Sequence, residues 1–345
     1  MKEDMMHIAF GFDQNYAMPC GVAILSVCRN TPGPLYFHAL VAEDVTQETK
    51  KQIEEMALSY GNRMAWYQVD SAILKKLPEH RWYGKSIYNR LLIPDLLPED
   101  VTKVLYLDSD ILALKSLRPV WEMVLADDEP AAMAFDSGCS DIYFHNRVDI
   151  PLSQPYFNSG VILMNLTCWR KEGIRMKCME KIGQNNYTLV DQDAINAVIG
   201  ARVRNLHLRY NLQVSILKCP EDDLQMDKER CSAQVHEAIE DPVIIHYTDC
   251  IKPWHEGCPD AKEWLDVKNG SPWKDTPLVS GKKLYTLHLD LVKEINMDDA
   301  ITIASPLFAL ILDFSRKHHK VFSRLSKLVW KIAEKHDLLA EKTGQ

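Results

Sequence analysis

Ten residues, Lys103–Leu112 (KVLYLDSDIL), constrain the fold of this chain more than any other stretch. Val104, Leu105, Tyr106 and Leu107 form a short apolar run, β-branched and aromatic, with the turn formers Pro98, Glu99 and Asp100 ahead of it. A run of that kind predicts a strand buried on both faces, as in a parallel sheet with helices above and below. It ends in two carboxylates. Residues i and i+2 of an extended chain project to the same side, with β-carbons about 6 to 7 Å apart, so Asp108 and Asp110 face one point. Two carboxylates so placed can share one hard divalent cation. Ligands of open α/β sheets bind beyond the carboxyl ends of the strands, where these two side chains fall. Taken alone the pattern fits a metal site or an acidic turn, because the chain holds a second Asp-x-Asp at Asp191-Gln192-Asp193.

The flanking sequence predicts the rest of a doubly wound sheet. A first strand, His7 to Phe12, contains Gly11, which lets the backbone pass close to another group, and is followed by Asp13, Gln14 and Asn15 at its carboxyl end. A helix over 18–29, a strand over 35–42, a helix over 46–59 and a strand over 63–69 complete a β-α-β-α-β unit with right-handed crossovers. Neither G-x-G-x-x-G nor G-x-x-x-x-G-K-[ST] occurs, which argues against a dinucleotide or P-loop site.

Residues 86–97 are helical in pattern and carry Arg90, for which a surface ion pair and a phosphate contact are both open. A strand over 131–135 ends in Asp136, residues 138–157 form an excursion rich in turn formers, and Phe157-Asn158-Ser159-Gly160 leads into a strand over 161–165. Helices are expected over 168–182 and 191–199. The second opens with Asp191-Gln192-Asp193, read either as an acidic helix start that complements the dipole or as a substrate contact. A late strand over 243–247 delivers His246 into YTDCIKPW; a lone histidine is usually structural or exposed, but this one ends a strand, near Lys252, which could meet a phosphate.

A length of 345 residues accommodates one domain of about 250 residues and a smaller appendage. The net charge of −8 gives no electrostatic case for nucleic acid. Nine cysteines, an odd number without a C-x-x-C pair, read as free thiols in a reducing compartment. No run of 18 apolar residues and no apolar leader segment is present, so the expectation is a cytosolic protein or one peripheral on the cytosolic face. The character changes from Ser271. After SPWKD come three proline-punctuated helical stretches, in which Val321, Phe322, Leu325, Leu328, Val329 and Ile332 share one face. Residues 316–335 hold seven Lys or Arg against one Glu, which suits a helix lying on an anionic membrane surface or one packing on the domain.

Five segments in order carry a resemblance to the retaining glycosyltransferases of family 8, and among them to bacterial lipopolysaccharide core glucosyl- and galactosyltransferases. They are FGFDQNY at 10–16, YNRLLIPDLLP at 88–98, VLYLDSDIL at 104–112, YFNSGVILMNL at 156–166 and HYTDCIKPWH at 246–255. The likeness spans about 7–255 and continues weakly in SPWKD and the basic tail. It implies an α/β fold: a single nucleotide-sugar-binding domain of the GT-A, Rossmann-like type over 1–270, with a mixed, mainly parallel sheet, and a small helical basic extension over 271–345.

By position, the resemblance makes Asp108, Asp110 and His246 ligands of a Mn²⁺ or Mg²⁺ that bridges the diphosphate of a UDP-sugar, with Lys252 adding a second positive charge. Gly11, Asp13 and Asn15 match a uridine-binding strand end. Arg90, Asp108, Ser109, Asn158 and Ser159 match donor-binding positions, and Asp136, Asp191 and Gln192 match positions at the reacting sugar. Gln192 aligns with the residue on the β face of the donor; an amide is a poor nucleophile, so same-face transfer with Gln192 stabilising an oxocarbenium-like state is expected. The implied reaction moves glucose or galactose from UDP-glucose or UDP-galactose to a lipid-linked oligosaccharide at the cytosolic face of the inner membrane. One residue departs from the family pattern: Asp249 stands where Gly is usual, and a carboxylate there disfavours a nearby diphosphate. Two other readings compete. A haloacid-dehalogenase-type phosphatase also places Asp-x-Asp after an apolar strand, although on its first strand, and a non-catalytic sugar-binding protein keeps the fold without the chemistry.

Overall fold

Apolar runs that can be buried on both faces decide which strands lie at the centre. A computed structural model of the chain describes residues 5–75, 77–78, 84–137, 142–185, 187–218, 228–248, 251–258 and 260–280. The chain divides after Gly281 into two units, and every described residue lies in the first. The basic tail and Asp249 lie outside the described residues.

Strands β1 (Met6–Phe12), β2 (Leu35–Val41), β3 (Arg63–Gln68), β4 (Lys103–Leu107), β6 (Ala131–Phe135), β7 (Phe157–Asn165) and β8 (Val203–Asn205) build a seven-stranded sheet, and β5 (Ile111–Ala113) leaves it directly after β4. The order is β3-β2-β1-β4-β7-β6-β8. β1 pairs in parallel with both β2 and β4, and β7 runs antiparallel to β4 and to β6. The sheet is therefore mixed and mainly parallel. Its strand order reverses between β1 and β4, and in open α/β sheets ligands bind beyond the carboxyl ends of the strands at such a switch point. Val104, Leu105, Tyr106 and Leu107 are all buried, as a covered central strand requires, whereas β3 at the edge has only half-buried and exposed residues.

Several boundaries differ from the sequence reading. β7 begins at Phe157, so Asn158, Ser159 and Gly160 lie inside the strand. Because β7 is reversed, its amino-terminal half sits at the carboxyl edge of β4, where Asp108 N–H donates to Gly160 O at 2.8 Å. The helix expected over 168–182 is two helices, Leu166–Glu172 and Ile174–Gln184, broken at Gly173, whose φ of +61° ends the first in a left-handed turn. The excursion contains a helix, Ile142–Val148. The helical pattern over 86–97 resolves into a tight turn, Lys85–Tyr88, and a helix, Asn89–Leu96.

A second, three-stranded sheet of order β5-β10-β9 completes the site. It joins β5 to β10 (Ile244–His246) and β9 (Leu212–Gln213). The antiparallel register sets His246 opposite Ile111, one residue from Asp110. No helix among the described residues is long and apolar enough to cross a membrane. Cys20, Cys28, Cys168 and Cys178 are free thiols.

Candidate active site

At the switch point the two strand-end carboxylates meet the late imidazole. One ligand atom each of Asp108, Asp110 and His246 lies within 4.8 Å of the others. His246 Nε2 is 3.3 Å from Asp110 Oδ1 and 3.7 Å from Asp108 Oδ2. Its other nitrogen, Nδ1, is 2.8 Å from Asn211 Oδ1. The cradle admits no side chain at residue 160: a Cβ on Gly160 would lie 2.1 Å from His246 Cε1 and 2.8 Å from Asp108 Oδ2. Two hard oxygens and an imidazole nitrogen, converging where only glycine fits behind them, suit a divalent cation of the Mn²⁺ or Mg²⁺ kind. Ser109, between the carboxylates, turns to the opposite side and is buried beside the Cys20 thiol.

Positive charge surrounds these acids. Lys252 Nζ lies 2.7 Å from Asp110 Oδ2 and also donates to Tyr247 O. Burial alone pushes the Asp110 carboxyl up, but the Lys252 ammonium and the His246 ring outweigh it and hold the group below the usual carboxylate range. Arg90 is not a surface residue. Only 7% exposed, it puts one nitrogen 2.8 Å from Asp108 Oδ1 and donates from another to Ser159 O and Oγ, both at 2.7 Å. Its Nε is 2.9 Å from Asp191 Oδ2, but that N–H is aimed at Ile87 O, so the contact with Asp191 is ionic without being an aligned hydrogen bond. Burial disfavours the guanidinium charge, yet Asp108 and Asp191 more than offset this and keep it protonated. The Asp191 carboxyl is pushed up to about 6 by burial, Arg90 pulling it down and Asp108 up.

A second cluster adjoins the first. Asp136 Oδ2 accepts from Asn158 Nδ2 at 3.0 Å and from Gln192 Nε2 at 3.1 Å. Gln192 Oε1 accepts the Ser159 N–H at 2.9 Å, and its Nε2 also reaches the Tyr156 hydroxyl at 3.3 Å. Asp136, Asn158, Ser159, Asp191 and Gln192 are thus brought together, all buried. The two readings of the second Asp-x-Asp apply to different residues. Asp191 and Gln192 face the site, whereas the fully buried Asp193 reaches back to the Leu189 N–H at 3.0 Å and binds Arg147 and the Tyr156 hydroxyl.

The first strand end plays a different part. Asp13 Oδ1 accepts from the Asn15 and Tyr16 amides, and Oδ2 accepts from Ser86 Oγ at 3.2 Å, so the carboxylate caps a turn. Asn15 is exposed. The group that Gly11 lets approach is Asn89, whose Cβ would be 2.8 Å from a Cβ at residue 11. Sequence reasoning missed Tyr106, whose hydroxyl donates to Asp108 Oδ1 at 2.6 Å, together with Gly160, Asn211 and Tyr156. Gly160 stands in a segment already singled out, as a glycine directly after polar site residues. Asn211 carries no local signal.

A mixed sheet with acids at its switch point, closed by a reversed strand and a small second sheet, is the architecture of GT-A glycosyltransferases. The galactosyltransferase LgtC, solved with donor and acceptor sugar analogs, matches this fold with a TM-score of 0.66 over 77% of this chain and 96% of its own, at 24% identity. The chain belongs to glycosyl transferase family 8, whose profile matches residues 7–258. It is similar to the lipopolysaccharide glucosyltransferase WaaO of Escherichia coli (strain K12), 27% identical over 285 residues covering 79% of this chain and 80% of the relative. It is likewise similar to the lipopolysaccharide 1,3-galactosyltransferase of Salmonella typhimurium, 27% identical over 288 residues covering 80% and 82%. Membership makes glycosyl transfer the activity of the domain and sets aside the phosphatase reading.

Proposed function

We propose that this protein is a cation-dependent, retaining hexosyltransferase. It moves glucose or galactose from a UDP-sugar to a lipid-linked saccharide of the lipopolysaccharide core type. The observation that carries this reading is the convergence of Asp108, Asp110 and His246 within 4.8 Å, beside the buried cluster of Asp136, Asn158, Ser159, Asp191 and Gln192. The hexose and the acceptor class are suggested by the two relatives named above, which act on lipopolysaccharide as glucosyl- and galactosyltransferases.

Asp108, Asp110 and His246 would hold a Mn²⁺ or Mg²⁺, which would supply Lewis-acid stabilisation of the leaving diphosphate. The protein's own groups do the remaining work. Lys252, now on Asp110, offers an ammonium to the same diphosphate. Arg90 fixes Asp108, Asp191 and Ser159 relative to one another and places one guanidinium between two carboxylates. Gln192 is held at both ends of its amide, so its dipole is already oriented when positive charge develops at the anomeric carbon. It acts there by stabilising an oxocarbenium-like state on the face from which it approaches, with transfer on the opposite, same-as-leaving face. Gly11, Asp13 and Asn15 are the residues assigned to the uridine, and Ser109, turned toward Cys20, would act on the donor only through its backbone. The basic segment 316–335 holds the enzyme on the anionic cytosolic face of the inner membrane.

The test is a donor screen by UDP release with Mn²⁺ and a lipopolysaccharide acceptor. UDP-glucose or UDP-galactose should be consumed, activity should vanish in EDTA and in Asp110→Asn, and NMR of the product should show an α-linkage. Full activity in EDTA, or a β-linked product, would refute the mechanism, and a protein that consumes neither donor would refute the assigned hexose. Deleting residues 316–345 should abolish salt-sensitive binding to anionic vesicles and spare donor hydrolysis.

A further inference from the structure

One side chain outside the ligand and donor-contact sets connects the two clusters. Asn211, fully buried, accepts at Oδ1 from His246 Nδ1 at 2.8 Å and donates from Nδ2 to Asn158 Oδ1 at 2.9 Å. Asn158 Oδ1 also accepts the Gly160 N–H at 3.0 Å, and Asn158 Nδ2 donates to Asp136 Oδ2. His246, Asn211, Asn158 and Asp136 therefore form a continuous hydrogen-bonded row.

The direction of every bond in this row follows from its ends. An ionised carboxylate only accepts, so Asn158 must present its NH₂ to Asp136. A backbone N–H only donates, so the Asn158 oxygen must face Gly160, which is consistent with the first condition. Asn211 then has an oxygen opposite its inner end and must donate there. Its own oxygen is left facing the imidazole, which must donate from Nδ1. A neutral imidazole with its proton on Nδ1 has its lone pair on Nε2, the atom 3.3 Å from Asp110 Oδ1 and 3.7 Å from Asp108 Oδ2. With its amide reversed, Asn211 would set an NH₂ against Nδ1 and its oxygen against the Asn158 oxygen, two mismatches in a site closed to water.

We infer that Asn211 is a positioning residue for the cation site: it holds His246 as the Nδ1–H tautomer with Nε2 turned to the cation, in a hydrogen-bond direction set at Asp136. The inference rests on the cation-site reading above and adds to it the group that makes the imidazole a competent ligand. The same Asp136 oxygen also fixes the Gln192 amide, so the polarity of the ion site and that of the sugar site share one reference.

Two measurements test it without turnover. In the full-length protein, ¹⁵N NMR of the ring nitrogens should show a proton on His246 Nδ1. Mn²⁺ binding, followed by the EPR signal of the free ion without donor sugar, should weaken about 10- to 100-fold in Asn211→Leu, the range for loss of a group that orients a metal-bound histidine. Asn211→Asp keeps an acceptor opposite Nδ1, although its second oxygen then faces Asn158 Oδ1, and should bind Mn²⁺ more tightly than Asn211→Leu and less tightly than wild type. A residue that only fills space predicts no such split between leucine and aspartate. A His246 Nδ1 without a proton in the wild type, or equal Mn²⁺ affinity in wild type and Asn211→Leu, overturns the inference. If the wild type binds no Mn²⁺, the cation-site reading fails and the tautomer spectrum alone decides the role of Asn211. The spectrum likewise decides if Asn211→Leu does not fold.

Discussion

Gly160→Ala is the smallest change that separates the ion site from the sheet that carries it. The φ angle at Gly160 is not positive, so alanine meets no backbone penalty and the whole effect is steric. The new Cβ would stand 2.1 Å from His246 Cε1, and carbon contacts settle near 3.5 Å, so the ring must retreat by about 1.4 Å. It has little freedom to do so, because Nδ1 is tied to Asn211 and its backbone is registered against β5. Asp108 Oδ2, 2.8 Å from the new carbon, is crowded at the same time. Metal ligands are held to about 0.2 Å, so a displacement on the order of 1 Å removes one of three ligands. Mn²⁺ affinity should drop about 100-fold, with a similar loss of donor consumption. Stability should fall by only about 1 to 3 kcal/mol, the cost of an overpacked methyl. Mn²⁺ titration by EPR, UDP release and a urea melt measure the three quantities on one preparation. An alanine variant with wild-type Mn²⁺ affinity and turnover would refute the assigned cation seat.

Three further outcomes follow from other parts of the molecule. Arg90→Met leaves the buried Asp191 and the half-buried Asp108 without their shared counter-charge; we expect a loss of about 3 kcal/mol in urea unfolding together with loss of activity, and an active variant of wild-type stability would contradict the role of Arg90. Burial, with a smaller contribution from His7, pushes the His38 imidazole down to about 3, whereas the unfolded chain titrates near its ordinary value of 6.5. The unfolded state therefore takes up a proton that the folded state refuses as pH falls below about 6.5, so stability is lost in that direction, by about 2 to 3 kcal/mol at pH 4.5. His38→Gln should flatten this slope between pH 6.5 and 4.5, and parallel slopes in the two proteins would count against it. Arg170 donates to the carbonyls of Pro94, Leu97, Pro98, Glu99 and Val101, closing the end of the Asn89–Leu96 helix ahead of β4. Arg170→Ala should cost about 2 to 3 kcal/mol, since several of these carbonyls can turn to water, and a change below 0.5 kcal/mol would show that the loop holds itself.

Local chemistry in the sequence determined much of this protein. The apolar run of β4 reads as a covered strand, and Asp108 and Asp110 follow it directly; the structure sets them in the turn between β4 and β5 and not in an extended strand, so it is this turn, and not a period of two, that brings them together. The polar residues at the strand ends were also legible, since a chain leaving a buried strand exposes its next side chains at one edge. What the tertiary structure alone decided depends on partners distant in sequence, and no local period encodes them. The reversal of β7 carries Asn158, Ser159 and Gly160 to the edge where β4 ends, and it is set by hydrogen-bond register with β4 and β6. The pairing of β10 with β5 brings His246 to Asp110. Arg90 looked like any helical arginine until two carboxylates from other elements closed around it. Neighbouring residues of a helix point about 100° apart, so Asp191 and Gln192 could be told from Asp193 only once the helix had a sheet beneath it. Asn211 was invisible because its role comes entirely from the two groups on either side of it, and folding alone sets them there.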